Sequence, residues 1–241
     1  MTDTPGFYEH LTFNAPLSEA RADALAARVA AAGPSTVLDV GCGWGELLIR
    51  VAAQAPGARA LGVDTEERHL TRGRARAREL DVSTRVTFEN LSGDQLSEPA
   101  DVVICIGSSH AFGDSPAEAL AALKPLVRPG GRLVLGEGTW EVRGPGDPDL
   151  VWDDVVALPS VAALVDLAVE AGFRPLWIET ANEDELFAFE SGYLADLEEW
   201  LLHHDDADVR ARADEHRRRW LHGYRNAFGF AYLTLGVPGH S

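Results

Sequence analysis

The sequence predicts a doubly wound α/β protein with a mostly parallel sheet. Short β-branched or apolar runs alternate with segments of helical periodicity up to about residue 180, and this alternation is typical of parallel sheets covered by helices. A glycine-rich turn directly follows the first of these runs. With 241 residues, of which 46% are hydrophobic, the chain can form one large core, so we expect a single domain over residues 1–241.

The individual elements follow from local signals. Residues 1–32 form an N-terminal segment and a first helix, for which Ser18 is the expected N-cap. β-branched and apolar runs predict seven strands, at 36–40, 59–63, 85–88, 101–106, 132–136, 174–180 and 228–237. Further helices are expected at 46–55, 66–80, 116–126 and 160–171. Pro129, Gly130 and Gly131 predict a turn, and residues 141–150 predict a loop.

The alternation stops after the sixth strand. Residues 183–226 carry two consecutive patterns of apolar and aromatic residues at spacings of three and four, which predict two helices. The first pattern runs from Leu186 to Trp200, and the second from Val209 to Tyr224. We therefore expect a helical insertion before the last strand.

Charge and composition exclude several classes of function. The net charge of −17 would repel a nucleic-acid backbone and an anionic membrane surface, because both are bound through cationic side chains. No secretory leader and no apolar run of membrane-spanning length is present, so we expect a cytoplasmic protein. Two cysteines, Cys42 and Cys105, are too few for a disulfide framework or a thiolate metal site, and we expect no metal.

The glycine turn favours one kind of ligand. Gly41, Gly43 and Gly45 lie between a strand and a helix, where bare backbone and free N–H groups suit an anion. A dinucleotide-binding turn would have the spacing G-x-G-x-x-G, whereas position 46 is Glu and Asp39 precedes the glycines. A zwitterionic amino acid suits this turn better than a pyrophosphate does, since its carboxylate takes the N–H groups and its ammonium needs an acidic partner.

Four motifs in this order resemble the class I S-adenosylmethionine-dependent methyltransferases. They are Val37-Leu38-Asp39-Val40-Gly41-Cys42-Gly43-Trp44-Gly45, Gly62-Val63-Asp64, Ser92-Gly93-Asp94 and Leu126-Val127-Arg128-Pro129-Gly130-Gly131-Arg132-Leu133. The resemblance covers about residues 30–140. It implies a seven-stranded Rossmann-like sheet, the cofactor S-adenosylmethionine, and a methyltransferase activity.

The resemblance also implies a cofactor site. The loop of Gly41, Cys42, Gly43 and Gly45 would hold the methionine part, and Asp39 would order that loop and reach the ammonium through water. The ribose hydroxyls would bind Asp64, with Thr65 beside it. The positions implied for the adenine are Gly93, Asp94 and Gln95. Ile106 and Gly107 would offer their carbonyls to the ammonium.

Candidate residues for the methyl acceptor follow the fourth and fifth strands. His110 is the best candidate for a general base, because its unperturbed pKa lies near physiological pH. Glu137 is a second candidate for catalysis or for holding the acceptor, and Trp140 is a candidate wall of the pocket. Family members use such an insertion to cover the acceptor, so residues 183–226 form a possible lid. Within it, Glu190 and Tyr193 lie three apart on one helix face and are candidates for binding or catalysis.

These patterns favour methyl transfer to an oxygen or nitrogen atom of a small molecule, and they leave three alternatives. A non-catalytic binder of the same cofactor would carry the same motifs. A nucleic-acid or protein methyltransferase is disfavoured by the acidic charge and by Gly107-Ser108-Ser109-His110 where base methylation usually employs a Pro-Pro-Tyr segment. A nicotinamide-dependent oxidoreductase differs at Asp39 and Glu46. The oligomeric state does not follow from the sequence.

Overall fold

The computed structural model describes residues 4–140, 150–152 and 157–239. The chain divides into two compact units. We call the larger one the sheet unit; it comprises Ser18–Glu137, Ala162–Thr180 and Ala231–Ser241. We call the other the helical unit; it comprises Met1–Leu17, Gly138–Val161 and Ala181–Phe230.

Seven strands form one sheet in the order β3-β2-β1-β4-β5-β7-β6. The strands are β1 Thr36–Val40, β2 Arg59–Asp64, β3 Val86–Asn90, β4 Ala100–Ile106, β5 Val127–Trp140, β6 Arg174–Thr180 and β7 Phe228–Gly236. β1 is parallel to β2 and β4, β2 to β3, and β4 to β5. β6 and β7 are antiparallel. The prediction of a mostly parallel seven-stranded sheet is therefore confirmed.

Seven α-helices accompany these strands in the described part of the chain. They are α1 Glu19–Ala31, α2 Glu46–Gln54, α3 Glu67–Glu79, α4 Pro116–Leu123, α5 Val161–Glu170, α6 Glu183–Leu201 and α7 Ala207–Arg218. The helix ends agree with the capping signals in the sequence. Ser18 Oγ accepts a hydrogen bond from the Arg21 backbone N–H at 3.3 Å, and Asn182 and Glu185 form a reciprocal capping box at the start of α6.

The strand order places a topological switch point between β1 and β4. The chain builds the sheet from β1 to β2 and β3, then returns to the other side of β1 to form β4 and β5. Since parallel crossovers are right-handed, the reversal puts the connecting helices on opposite faces of the sheet. Sheets of this kind bind ligands beyond the carboxyl ends of the strands at such a switch point, which here are the ends of β1 and β4.

The aromatic ring of Phe88 on β3 fixes the packing of α2 and α3 on the sheet. Phe88 is buried, and three glycines face its ring: Gly45 at the start of α2, Gly62 on β2, and Gly73 on α3. A Cβ atom at Gly45 would lie 2.4 Å from the ring, and one at Gly73 would lie 2.8 Å from the Trp44 carbonyl oxygen. Both helices therefore approach the sheet more closely than any residue with a side chain would allow.

The helical unit has an apolar core of its own. Trp140, Val151, Leu194, Trp220 and Tyr224 form a buried cluster, and a second cluster joins Leu197 of α6 to Val209 and Ala213 of α7. Of the aromatic residues in the two helical patterns, Trp220 and Tyr224 are buried, whereas Phe187, Tyr193 and Trp200 are partly buried against these clusters.

Three elements differ from the sequence predictions by more than two residues or in type. The predicted turn at 129–131 and the strand at 132–136 are parts of one strand, β5, because Gly130 N–H donates to the Val237 carbonyl and Val237 N–H donates to the Gly131 carbonyl. The α-helix predicted at 116–126 ends at Leu123 and continues as a 3₁₀ turn, where Pro125 supplies no N–H. The second inserted helix ends at Arg218, and Arg219–Tyr224 form a π-helical segment.

Other predictions stay untested. The predicted loop at 141–150 lies outside the described residues except for Leu150. The single domain over 1–241 also stays a prediction.

The packing around Phe88 makes Gly62→Ala destabilising. The added Cβ would lie 2.9 Å from Cys42 Sγ, 3.0 Å from Phe88 and 3.1 Å from Leu48, and such overpacking costs about 1–3 kcal/mol. Gly57→Ala is the matched control, since nothing lies within 4 Å of its added Cβ. Chemical denaturation should show a lower free energy of unfolding for Gly62→Ala alone; equal stability of the two variants would contradict the described packing.

Candidate active site

The loop between β1 and α2 is held in an open conformation by left-handed glycines. Gly41, Gly43 and Gly45 have φ angles of 64°, 56° and 64°, values that residues with a Cβ adopt only at a cost. Two hydrogen bonds tie the loop to the end of β2: Cys42 N–H donates to the Val63 carbonyl at 3.0 Å, and Gly43 N–H donates to Asp64 Oδ2 at 2.8 Å. The predicted glycine turn therefore ends directly at the start of α2 and lies beside the predicted motif Gly62-Val63-Asp64.

Ser108 ties the same loop to β4, a role that the sequence did not indicate. Its buried hydroxyl donates to the Val40 carbonyl at 2.6 Å and lies 3.3 Å from Cys105 Sγ. A Cβ atom at position 41 would lie 2.3 Å from Ser108 Cβ, so glycine is the only residue type that fits there. The ends of β1 and β4 are thus joined across the switch point.

Trp44 anchors the loop to α3. Its indole ring is buried, with the His69 ring 5.4 Å away in an edge arrangement and the Arg72 guanidinium 4.0 Å above it. Both partners lie on α3, so the residue that separates the last two glycines of the loop is fixed by packing.

Two carboxyl groups give this loop its electrostatic character. Asp39 is buried at the end of β1, and burial raises its pKa well above the ordinary range, with a further contribution from the charge of Asp64. Asp64 also loses solvation, but the nearby His69 imidazole and hydrogen bonds from the Glu66 and Gly43 backbone N–H groups lower its pKa. His69 Nδ1 lies 3.9 Å from Asp64 Oδ1. The loop therefore combines backbone N–H groups with an acidic pair.

Glu46, the first residue of α2, is neutralised within the fold. Its buried carboxylate accepts from Arg50 Nε at 3.0 Å and from Arg76 Nε at 3.1 Å. The charge at this position is part of an ion-pair network that joins α2 to α3.

The segments after β2 and β3 present exposed polar groups. Thr65, Asp94 and Gln95 are exposed, and the last two belong to a 3₁₀ turn, Gly93–Gln95, closed by the Gln95 side chain on the Ser92 N–H. Gly93 is buried beneath Phe112, whose ring would lie 2.8 Å from a Cβ at that position. The third predicted motif therefore packs against the segment after β4.

Three of the predicted residues lie at the end of β4 and in the segment after it. Ile106 is half-buried, and Gly107 is exposed with a φ of 67° and donates to the Gly136 carbonyl at 2.9 Å. His110 is exposed in a 3₁₀ turn, Ser109–Phe112, and its side chain forms no hydrogen bond or ion pair with the described residues.

Glu137 lies on β5 and is buried. Its charge, together with that of Asp39, raises the pKa of the neighbouring Cys105 thiol, which burial raises most, to about 12. Cys105 is therefore an inert, protonated thiol of the core.

The other predicted residues lie in the helical unit. Trp140 belongs to its buried aromatic cluster. Glu190 and Tyr193 on α6 both contact His216 of α7: Glu190 Oε2 lies 2.6 Å from His216 Nε2, and the Tyr193 and His216 rings are 4.5 Å apart. The sequence placed His216 on a helix face but did not indicate this role, because its partner Glu190 lies 26 positions away.

Comparisons with known proteins agree with this arrangement. The family described as "Methyltransferase domain" matches residues 38–133. The uncharacterized protein YjhP of Escherichia coli is 28% identical over 94% of each chain, and its crystal structure superposes with a TM-score of 0.83 at 26% identity over 96% of each chain. A methyltransferase structure from Geobacter sulfurreducens in complex with S-adenosylhomocysteine has a TM-score of 0.83 and is 25% identical over 93% of each chain.

The chain is a class I S-adenosylmethionine-dependent methyltransferase. The predicted fold, activity and cofactor are thereby confirmed, and the nicotinamide-dependent alternative is wrong. A further relative, the 27-O-demethylrifamycin SV methyltransferase of Amycolatopsis mediterranei, is 36% identical over 48% of this chain and 43% of that protein.

Two features are absent from the described residues of the methyltransferase. No helix among them has the length and apolar character needed to cross a membrane. Within the same residues, no group of three or more His, Cys, Asp or Glu side chains is arranged to hold a metal ion.

The buried Asp39 of the methyltransferase makes Asp39→Asn stabilising at neutral pH. Because its folded-state pKa is raised, the unfolded chain releases this proton first, and stability is lost as pH rises from about 4 through the folded-state value. Asparagine does not ionise, so the variant should unfold about 2–4 °C higher than wild type at pH 7. Melting temperatures at pH 3.5 should coincide; an equal difference at both pH values would rule out the charge as the cause.

Proposed function

We propose that the enzyme transfers a methyl group from S-adenosylmethionine to an oxygen or nitrogen atom of a small molecule. The observation that carries the cofactor side of this proposal is the acidic pair Asp39 and Asp64 beside the left-handed glycine loop at the switch point. N–H groups there complement the carboxylate of the methionine moiety, and the acidic pair complements its ammonium.

The individual cofactor contacts are proposed position by position. The loop of Gly41, Cys42, Gly43 and Gly45 would receive the methionine part. Asp64 would accept from both ribose hydroxyls; each of its oxygens takes one backbone N–H in the structure, and a carboxylate oxygen can accept a second hydrogen bond. Thr65 would lie beside Asp64 at the ribose. The adenine would lie against the exposed turn after β3, at Gly93, Asp94 and Gln95, and Ile106 and Gly107 would offer carbonyls to the ammonium.

Two observations support a small acceptor. The net charge of −17 opposes contact with a nucleic-acid backbone. The relative from Amycolatopsis mediterranei is named 27-O-demethylrifamycin SV methyltransferase, and the acceptor in that name is a rifamycin. Residues 183–226 are proposed to cover the acceptor, and the candidates for contacting it stay His110, Glu137, Trp140, Glu190 and Tyr193. The cytoplasm is the proposed compartment, in keeping with two free cysteines, Cys42 and Cys105.

Incorporation of label tests the acceptor class. The enzyme would be incubated with S-adenosylmethionine labelled in its methyl group and, separately, with a dialysable bacterial metabolite fraction, total tRNA, or total protein. The proposal expects label in a product of the metabolite fraction. Label transferred to tRNA or protein instead would contradict a small acceptor.

Asp94 gives a sharp test of the adenine contact. Its side chain is exposed and forms no hydrogen bond with a described residue, so Asp94→Ala should leave the melting temperature of the unliganded enzyme unchanged. Loss of a charged hydrogen bond, worth about 1.5–3 kcal/mol, should weaken S-adenosylhomocysteine binding roughly tenfold or more in calorimetry. The matched control is Glu98→Ala, an exposed acid in the following loop. Equal affinity of the two variants would remove Asp94 from the site.

A further inference from the structure

The sheet unit has an open groove at the amino ends of its first strands. Its volume is about 450 Å³, which is in the range of sites for small organic molecules. Leu38 of β1, Leu61 of β2 and Leu96 supply its large apolar side chains. β1 rises about 13 Å from its first residue to its last, so the groove and the glycine loop lie at opposite ends of the strands.

The groove is open because one connection of the sheet carries no α-helix. α2 and α3 pack on the face to which Gly62 and Phe88 point. Leu61 and Thr87, which precede them in the same register, point to the other face. The connection from β3 to β4 lies on that face, since it crosses the sheet in the same direction as the connection from β4 to β5. It comprises residues 91–99, all of them described, and its only helical element is a 3₁₀ turn.

The charge of the groove is opposite in sign to that of the whole protein. Three of its four charged lining residues are cationic, namely Arg59, Arg85 and Arg128, and the fourth is Glu98. The net charge of the chain is −17. The groove is therefore a basic site on an acidic protein, and its charge favours an anion.

Arg59 is the arginine of these three that is available to a ligand. Arg85 donates to the Ala52 carbonyl at 2.8 Å, and Arg128 is paired with Asp101 at 2.8 Å. The Arg59 side chain is exposed and, within the described part of the chain, forms no hydrogen bond or ion pair. A guanidinium without an internal partner can bind a carboxylate through two parallel hydrogen bonds.

The arrangement around Thr36 leaves one positive charge at this end of the groove. Arg59 is paired with Thr36 in register, so both side chains point to the same face of the sheet. Arg128 Nη1 donates to Thr36 Oγ1 at 3.0 Å and to Asp101 Oδ1 at 2.8 Å. Because Arg128 neutralises Asp101, the charge that remains is that of Arg59.

We propose that this groove is a second ligand site of the enzyme and that it binds an organic monocarboxylate with an apolar body. The carboxylate would lie against the Arg59 guanidinium, and the body would lie against Leu38 and Leu61. One unpaired guanidinium matches one negative charge, and the leucines offer nothing to a strongly hydrated ion such as inorganic phosphate. The inference does not rest on the proposed function, since every residue that carries it lies away from the proposed cofactor contacts.

The first part of the test is calorimetry on the whole enzyme. The probe is 2-naphthoate, and the control is 2-naphthylmethanol, which has the same ring system and no charge. The carboxylate should bind at one site, more tightly than the alcohol, and with the same affinity when S-adenosylhomocysteine is saturating. Absence of 2-naphthoate binding, equal affinity of the alcohol, or displacement of 2-naphthoate by S-adenosylhomocysteine would overturn the inference.

The second part uses Arg59→Gln, with Arg78→Gln as the matched control. Arg78 is an exposed arginine of α3, which packs on the other face of the sheet. Arg59→Gln should weaken 2-naphthoate binding roughly fivefold, the contribution of a partly solvated ion pair, and should leave the affinity of the alcohol unchanged. Arg59→Lys, which keeps the charge, should retain most of the affinity. Because Arg59 is exposed, the melting temperatures of these variants should match that of wild type. Equal affinity of Arg59→Gln and Arg78→Gln for 2-naphthoate would overturn the assignment.

Discussion

The open conformation of the loop between β1 and α2 is the constraint on which the rest of the sheet unit depends. Three glycines in left-handed conformations carry the chain from the end of β1 into the first turn of α2. Asp64 holds this loop from the β2 side, and Ser108 holds it from the β4 side. Gly41 lies against Ser108, and Gly45 lies against Phe88. This packing on both sides fixes the conformation of the loop. The switch point of the sheet is therefore shaped before any ligand arrives, which reduces the cost of ordering it on binding.

The electrostatics of the same loop show a conflict between stability and binding. A buried carboxyl group at Asp39, close enough to Asp64 to feel its charge, destabilises the unliganded fold at neutral pH. In the proposed cofactor site the ammonium of S-adenosylmethionine would resolve this conflict, because a nearby cation favours the charged form of a carboxyl group. Glu46, which lies only a few residues further along, avoids the conflict because Arg50 and Arg76 neutralise it. The acid that is paired within the fold and the acid proposed to face the cofactor therefore have different surroundings.

Local patterns predicted the fold well and predicted the polar network of the helical unit poorly. The strands Thr36–Val40 and Arg174–Thr180 occur at the predicted residues because β-branched runs with clear boundaries specify them locally. β5 is longer than predicted because its early residues pair with Val237, a partner more than a hundred positions away. Ser108 and His216 were missed for the same reason: each acts through a partner that folding brings close, Val40 for one and Glu190 for the other.

Hydrogen–deuterium exchange with and without S-adenosylhomocysteine tests the central claim most directly, namely that the cofactor binds at the carboxyl ends of β1 to β4. The account predicts slower amide exchange in peptides covering 41–47, 64–66, 93–95 and 106–110 when the product is bound. Peptides at the opposite ends of these strands, such as 33–36 and 56–59, should exchange equally in both states. Protection confined to other segments, with binding verified by calorimetry, would contradict the account.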